Sequence, residues 1–307
     1  MFKLIFLLIG AATCSSIGLP SLSFRDDYSY AESQKAFYKF HRVPRTWEVA
    51  RFLCGAEGGQ LASPETDEEL KFFHDMLAGM PNSVFALYIG AHRKFSPSTF
   101  VNLNGKRIDS VLRWWDHLEP NENDNTEDCV TIGRNGKLND DRCEKRFPFI
   151  CKVASESVVP NTACKNFDPA YQPYDKIPSR CYKLHTEPKT WHNAYQTCTS
   201  EQSHLVVVKS ADEADYLSKL IKQNLPSKVI GSFAKDKIVV GFHDLYAEGE
   251  FRTVFGEKLD NIGFSSWAEG KPDEKQDEND CGALNDEGKL EDVSCKKQFA
   301  FVCEREV

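Results

Sequence analysis

The sequence predicts an α+β fold built twice in tandem, each copy with two helices followed by a strand-rich half that carries long acidic loops. Three observations lead to it: a self-similar register along the chain, an even set of cysteines shared between the copies, and a helix-then-strand order of apolar patterning that recurs.

At roughly 100–200 residues per domain, the 307 residues suggest two domains. The 41% apolar fraction with 12% aromatics is enough for packed cores and excludes wholesale disorder. The net charge is −8, from 38 basic and 46 acidic side chains, and no Lys/Arg block occurs, which argues against a nucleic-acid partner. Met1-Phe2-Lys3, the apolar run Leu4 to Ala12 and the small residues that follow read as a secretory signal peptide over 1–18, cleaved near 14–18. The alternative is a buried N-terminal strand. No other stretch approaches the ~18 apolar residues of a membrane helix, so no membrane span is expected. Cleavage removes Cys14 and leaves ten cysteines, an even number suited to an oxidising, extracellular compartment.

The repeat fixes the organisation. Tyr38-Lys39-Phe40-His41 recurs as Tyr182-Lys183-Leu184-His185, and Pro44-Arg45-Thr46-Trp47 as Pro188-Lys189-Thr190-Trp191, both at an offset of 144. Trp115, Cys129, Cys143, Phe147 and Cys151 recur at Trp267, Cys281, Cys295, Phe299 and Cys303, at an offset of 152. One eight-residue length difference would account for both registers. The expected units are 19–153 and 164–307, joined by a polar linker over 154–163.

Within the first unit, Trp47, Ala50, Leu53 and Cys54 lie at helical spacing between Pro44 and Gly58. Ser63-Pro64 is read as the cap and first residue of a second helix, with Leu70, Phe73 and Leu77 on one face, ending at Gly79 and Pro81. In the second unit Ser210-x-x-Glu213 reads as a capping box before Leu217, Leu220 and Ile221. Leu87-Tyr88-Ile89, Val111-Leu112-x-Trp114-Trp115 and Phe147-x-Phe149-Ile150 read as strands.

The densest polar constellation precedes Cys129 and Cys143. Glu119, Asn121, Glu127, Asn139 and Asp140 give three carboxylates and two amides around a cysteine-bounded loop. Hard oxygen ligands scattered over loop positions suit Ca²⁺, which takes 6–8 oxygens in flexible geometry. A solvated acidic loop is the competing reading on composition alone.

Order and spacing bring in a known family. Trp47, Cys54, Leu61, Leu87-Tyr88-Ile89-Gly90, Glu119-Pro120-Asn121, Glu127-Asp128-Cys129, Asn139-Asp140, Cys143 and Cys151 together resemble the C-type lectin domain family, over nearly all of both units. The two-domain arrangement most resembles insect immune lectins with two carbohydrate-recognition domains (immulectins). The resemblance implies that Glu119, Asn121, Glu127, Asn139 and Asp140 bind calcium and, through it, two neighbouring sugar hydroxyls, with the bond before Pro120 cis. In the family the Glu-Pro-Asn form goes with mannose-type sugars, so domain 1 is expected to be of mannose type.

The second unit departs from that pattern. The matching positions are Lys271, Asp273, Asn279, Glu291 and Asp292, and an ammonium cannot ligate a cation. Lys271 is expected to neutralise Glu291 and Asp292 in place of calcium; a distorted calcium site with Lys271 in solvent is the alternative. The family's auxiliary calcium site would fall on Asp244, Glu248, Glu274 and Asp280 of domain 2, whereas domain 1 has Arg93 and Pro97 at the first two of these positions. The resemblance also implies the disulfides Cys54–Cys151, Cys129–Cys143, Cys198–Cys303 and Cys281–Cys295, and matches Cys164 and Cys181 to an extra N-terminal bridge.

Paired carboxylates could signal a glycosidase. The chain, however, has no G-x-S-x-G, H-E-x-x-H or P-loop, and its histidines form no ligand-spaced pair. An enzyme is therefore not expected, and the resemblance implies a secreted calcium-dependent lectin that recognises microbial glycans, with lipopolysaccharide and fungal mannan as candidate targets and homo-oligomers as one route to avidity. The alternative is a calcium-independent protein- or lipid-binding module on the same fold.

Overall fold

The last strand of each repeat returns to lie beside its first long strand, so each repeat closes its own sheet around its own core. The computed structural model describes residues 24–95, 99–108, 112–121, 126–273 and 280–307. The expected leader lies outside the described residues, as do Pro97, Val111, Glu274 and Asn279.

The first repeat runs β1 (Ser29–Ala31), β2 (Ala36–Arg45), α1 (Trp47–Ala56), β3 (Gln60–Leu61), α2 (Asp67–Ala78), β4 (Ala86–His92), β5 (Val101–Asn102), β6 (Cys129–Gly133), β7 (Leu138–Asp141) and β8 (Phe147–Ala154). The second runs β9 (Gln172–Tyr174), β10 (Ile177–Lys189), α3 (Trp191–Ser200), β11 (His204–Leu205), α4 (Ala211–Lys228), β12 (Lys237–His243), β13 (Arg252–Thr253), β14 (Cys281–Asn285), β15 (Leu290–Val293) and β16 (Phe299–Glu306). The strand orders are β1-β2-β8-β4-β6-β7 and β9-β10-β16-β12-β14-β15. Both sheets are antiparallel except for one parallel pair each, β4 with β8 and β12 with β16. That pair is where the chain switches between the two halves of the sheet. No helix among the described residues is long and apolar enough to cross a membrane.

Equivalent side chains anchor the helices. The indole N–H of buried Trp47 donates to Ile89 O at 2.9 Å, and that of Trp191 to Val240 O at 2.8 Å. Five disulfides join Cys54–Cys151, Cys129–Cys143, Cys164–Cys181, Cys198–Cys303 and Cys281–Cys295. The two bridges closing about a hundred residues each tie a first helix to the returning last strand, which removes the most chain entropy from the unfolded state.

Three sequence expectations need correction. First, α2 begins at Asp67 with Thr66 as its cap, Thr66 Oγ1 accepting from Glu69 N at 3.1 Å; Ser63 is buried upstream. Thr66 is the counterpart of Ser210, whose hydroxyl accepts from Glu213 N at 3.2 Å, so the register of the repeat gives the right cap where the Ser-Pro pair does not. Second, Leu112–Trp114 is a short 3₁₀ turn, not a strand. Trp114 and Trp115 are both buried, but among the described residues the segment meets the sheet through the isolated bridge of Trp115 to Leu138, short of a ladder. Third, the length difference falls in two steps. β4 and β12 pair with β8 and β16 at Tyr88↔Phe149 and Val239↔Phe301, an offset of 151. Seven residues are therefore gained between α2, of 12 residues, and β12, chiefly because α4 has 18. The eighth enters between the Ile108/Leu259 and Trp115/Trp267 positions.

The repeats also differ in one buried charge. Tyr38 donates to Glu69, which pairs with Lys152 at 2.8 Å. In the second repeat Tyr182 donates to Glu213 in the same way, but Lys152 is replaced by Glu304 and Ala36 by Arg180, whose guanidinium spans both acids at 2.9 and 3.1 Å. Burial, then the facing Glu213 carboxylate, push Glu304 up to about 7. An unfolded glutamate titrates near 4.5, so between these values folding takes up a proton and stability falls as pH rises. The wild-type chain is expected to lose up to about 3 kcal/mol of second-repeat stability from pH 4.5 to 7 through this group. In Glu304→Gln, thermal melts across that range should show a correspondingly flatter slope; an unchanged slope would contradict the assignment.

Candidate functional site

The acidic loop of the first repeat is held between the turn at Leu112–Trp114 and the β6–β7 hairpin. Trp115 bridges to Leu138, and Asp116 N donates to Leu138 O at 2.9 Å, so the segment enters the loop already pinned to β7. The Glu119-Pro120 peptide is cis, and so is Lys271-Pro272 at the matching place in the second repeat. Asn121 N donates to Glu119 Oε2 and to Asp140 Oδ1, both at 3.1 Å, and Asn121 Nδ2 donates to Glu119 Oε1 at 2.8 Å. Asn139, beside Asp140 on β7, turns its amide onto Asp140 O at 2.5 Å. Glu127 stands half-buried two residues before β6, whose first residue, Cys129, faces Asp141 across the hairpin.

Glu119, Asn121, Asn139 and Asp140 are thus joined in one hydrogen-bonded group, with Glu127 at the foot of the adjoining strand. Asp140 is fully buried, and burial together with that carboxylate pushes Glu119 up to about 7. Two neighbouring acids and the side chains of Asn121 and Asn139 offer hard oxygens of the kind a divalent cation takes. The residues present fit calcium.

The second repeat keeps the cis turn and changes the charge. Asp273 N donates to Asp292 Oδ1 at 3.0 Å, the counterpart of the Asn121–Asp140 bond. Where Glu119 would be, Lys271 places Nζ 3.1 Å from Asp292 Oδ1 and donates to Asp292 O at 3.3 Å. The expectation that Lys271 also neutralises Glu291 fails. Glu291 is taken from the sheet side by Lys237 Nζ at 2.5 Å and Asn285 Nδ2 at 2.8 Å. Lys237 is the residue that sequence reasoning missed. At an offset of 151 it replaces Ala86 at the start of β4, and a single 152 register places it one residue away. Asn279 lies outside the described residues.

The auxiliary position shows the reverse exchange. Arg93 N and Asp244 N donate to Asp128 O and Asp280 O at 2.9 and 3.0 Å, which confirms that Arg93 and Asp244 are equivalent. In the first repeat the buried Arg93 guanidinium pairs with Asp128 Oδ1 at 3.0 Å and lies over the Phe100 ring. In the second, Asp244 is buried, Oδ2 accepts from Gly249 N at 3.0 Å, and Oδ1 has no hydrogen-bond partner among the described residues. Burial raises the Asp244 carboxyl first, and Asp280 and Asp292 add to it. Glu248 follows in the same loop, and Glu274 lies outside the described residues. A buried, half-satisfied carboxylate facing another acid fits a cation.

Among the described residues, the groups that bring three His, Cys, Asp or Glu ligand atoms within 4.8 Å of one another lie away from both loops: His41, Glu57 and Cys151, and His185, Glu201 and Cys303. Their sulfurs are in disulfides, Lys39 and Lys183 pair with the glutamates, and the imidazoles stack on Phe149 and Phe301. These are packing networks.

Comparison with known proteins gives a consistent result. The Lectin C-type domain family model matches residues 43–153 and 187–305. The chain is 38% identical over 159 residues to a hemolymph lipopolysaccharide-binding protein of Periplaneta americana, covering 50% of this chain and 59% of that protein. It is 26% identical over 252 residues to C-type mannose receptor 2 of Rattus norvegicus, covering 80% of this chain and 16% of the receptor. The match therefore spans less than two thirds of either relative's length. Among solved structures, a mouse scavenger receptor C-type lectin carbohydrate-recognition domain aligns at 23% identity and a TM-score of 0.37, over 45% of this chain and 97% of that domain.

Proposed function

The chain belongs to the C-type lectin domain family, and from that premise we propose that it is a secreted protein whose first domain reads mannose-type sugars on microbial surfaces through calcium. It is a binding protein, not an enzyme. The observation that carries the reading is the hydrogen-bonded group of Glu119, Asn121 and Asp140 at the cis Glu119-Pro120 bond.

Glu119, Asn121, Glu127, Asn139 and Asp140 would hold the ion, which supplies open coordination positions for a pair of sugar hydroxyls. The carboxylates can only accept from those hydroxyls, and the amides of Asn121 and Asn139 can donate to them, so the orientation of the pair is selected. In the second domain Lys271 occupies the place of a ligand, and Asp244, Glu248 and Asp280 offer an auxiliary cation position instead. The Periplaneta americana relative carries lipopolysaccharide binding in its name, which supports bacterial lipopolysaccharide as a target alongside mannose-rich glycans. Single exposed sugar sites are weak, so useful avidity requires several sites on one surface, through homo-oligomers of this chain.

The test is retention of the full chain on immobilised mannose and on immobilised galactose, with calcium and then with EDTA. The expected result is calcium-dependent retention on mannose alone. No retention on either column by folded protein would favour a calcium-independent binder.

A further inference from the structure

The second domain has a cavity of about 690 Å³ beside its altered loop. Among the described residues, four lysines line it, Lys237, Lys271, Lys296 and Lys297, against two acids, Glu291 and Asp292. In a chain of net charge −8, that is a local reversal of sign. The same positions in the first domain hold four acids, Glu119, Asp140, Asp141 and Glu144, against Arg142, Lys145 and Arg146. The surface that is acidic in one domain is basic in the other.

Ser232, Phe233 and Ala234 form one wall, and they belong to the segment between α4 and β12. The ion pairs Lys271–Asp292 and Lys237–Glu291 set the floor, and both lysines keep about a fifth to a quarter of their side-chain surface accessible. Lys296 and Lys297 are exposed at the rim, and the Ser232 and Ser294 hydroxyls add neutral donors. Phe233 and Phe299 add aromatic surface to the lining.

We propose that this cavity is a calcium-independent site for a phosphorylated sugar. A phosphate monoester carries up to two negative charges on three oxygens, which matches several ammonium groups and hydroxyls better than a single carboxylate does. The volume exceeds what a bare phosphate fills, and aromatic surface next to the lysines suits the apolar face of a sugar ring. The ion that a C-type sugar site requires is replaced here by Lys271, so binding does not need a metal. The site is independent of whether the first domain binds mannose.

The test is calorimetric titration of the full chain in EDTA at low ionic strength with N-acetylglucosamine 6-phosphate, beside N-acetylglucosamine and inorganic phosphate. The sugar phosphate is expected to bind at one site per chain, more tightly than inorganic phosphate, with no binding of the neutral sugar. Lys296→Glu/Lys297→Glu should weaken it about tenfold or more, while Lys296→Arg/Lys297→Arg retains it. Both pairs lie on the exposed rim, so folding, checked by thermal melts, is expected to survive. Binding of the sugar phosphate no tighter than inorganic phosphate, equal binding by the charge-reversed protein, or loss of binding in EDTA would overturn the proposal.

Discussion

Replacing Glu119 with lysine is expected to abolish calcium-dependent retention on mannose while leaving the metal-free protein as stable as before or more so. The substitution copies Lys271, so the loop already tolerates that side chain beside a cis proline and a buried aspartate in the second domain. In the first domain, the introduced ammonium would sit against Asp140, the residue whose carboxylate faces Glu119. Removing one carboxylate and adding an ammonium takes the five-residue set from three negative charges to one. The affinity for calcium should fall by more than about a hundredfold, since even outer-shell partners are worth about 10–100-fold. In EDTA the repulsion between Glu119 and Asp140 is replaced by an ion pair, worth about 1 kcal/mol at this partly exposed position. The thermal midpoint in EDTA should therefore hold or rise. Lost function with retained stability separates a broken site from a broken fold; retention on mannose by the variant would mean that the ion is held elsewhere.

What could be read from the sequence followed from constraints that are local or covalent. The helix around Trp47 and Cys54 declares itself by spacing, and its copy around Trp191 and Cys198 repeats it at a fixed offset. Glu119-Pro120-Asn121 is contiguous, so its convergence is legible without a fold. What failed depended on neighbours distant in sequence. Ser63-Pro64 has the chemistry of a helix start, but Ser63 is buried beside β3, and the turn that caps the helix comes three residues later at Thr66. Trp114-Trp115 has strand-forming composition, but the segment turns at Leu112–Trp114 and reaches β7, distant in sequence, through the isolated bridge of Trp115 to Leu138. Lys237 was invisible because its partner Glu291 is 54 residues away, brought near by the β12–β14–β15 ladder. At the offset of 151 that relates Gly90 to Gly241 and Arg93 to Asp244, Lys237 is an ammonium in place of Ala86.

The largest effect on the second domain is expected from restoring the acid that its loop has exchanged for lysine. The two domains solve the same electrostatic problem with opposite assignments: the first carries its fixed cation, Arg93, at the auxiliary position and keeps the loop acidic, while the second carries Lys271 in the loop and keeps Asp244 at the auxiliary position. Lys271→Glu removes one partner of an ion pair whose aspartate is buried and sets a like charge beside it. Breaking a buried pair in this way costs about 3–5 kcal/mol, and the partial exposure of Lys271 puts the expected loss near about 3 kcal/mol in EDTA. Calcium should then return part of it, about 2.7 kcal/mol at a hundredfold excess over the dissociation constant. Glu291 remains engaged by Lys237, so the double variant Lys237→Ala/Lys271→Glu, which gives the loop the first domain's residues at both positions, should bind calcium more tightly than Lys271→Glu alone. Thermal melts and calcium titrations of the wild type and both variants measure this directly. Equal calcium affinity at this loop in wild type and Lys271→Glu would mean that Lys271 does not stand in for the ion. A calcium-dependent rise in the stability of the wild-type second domain, lost in Asp244→Asn, would place its cation at the auxiliary position.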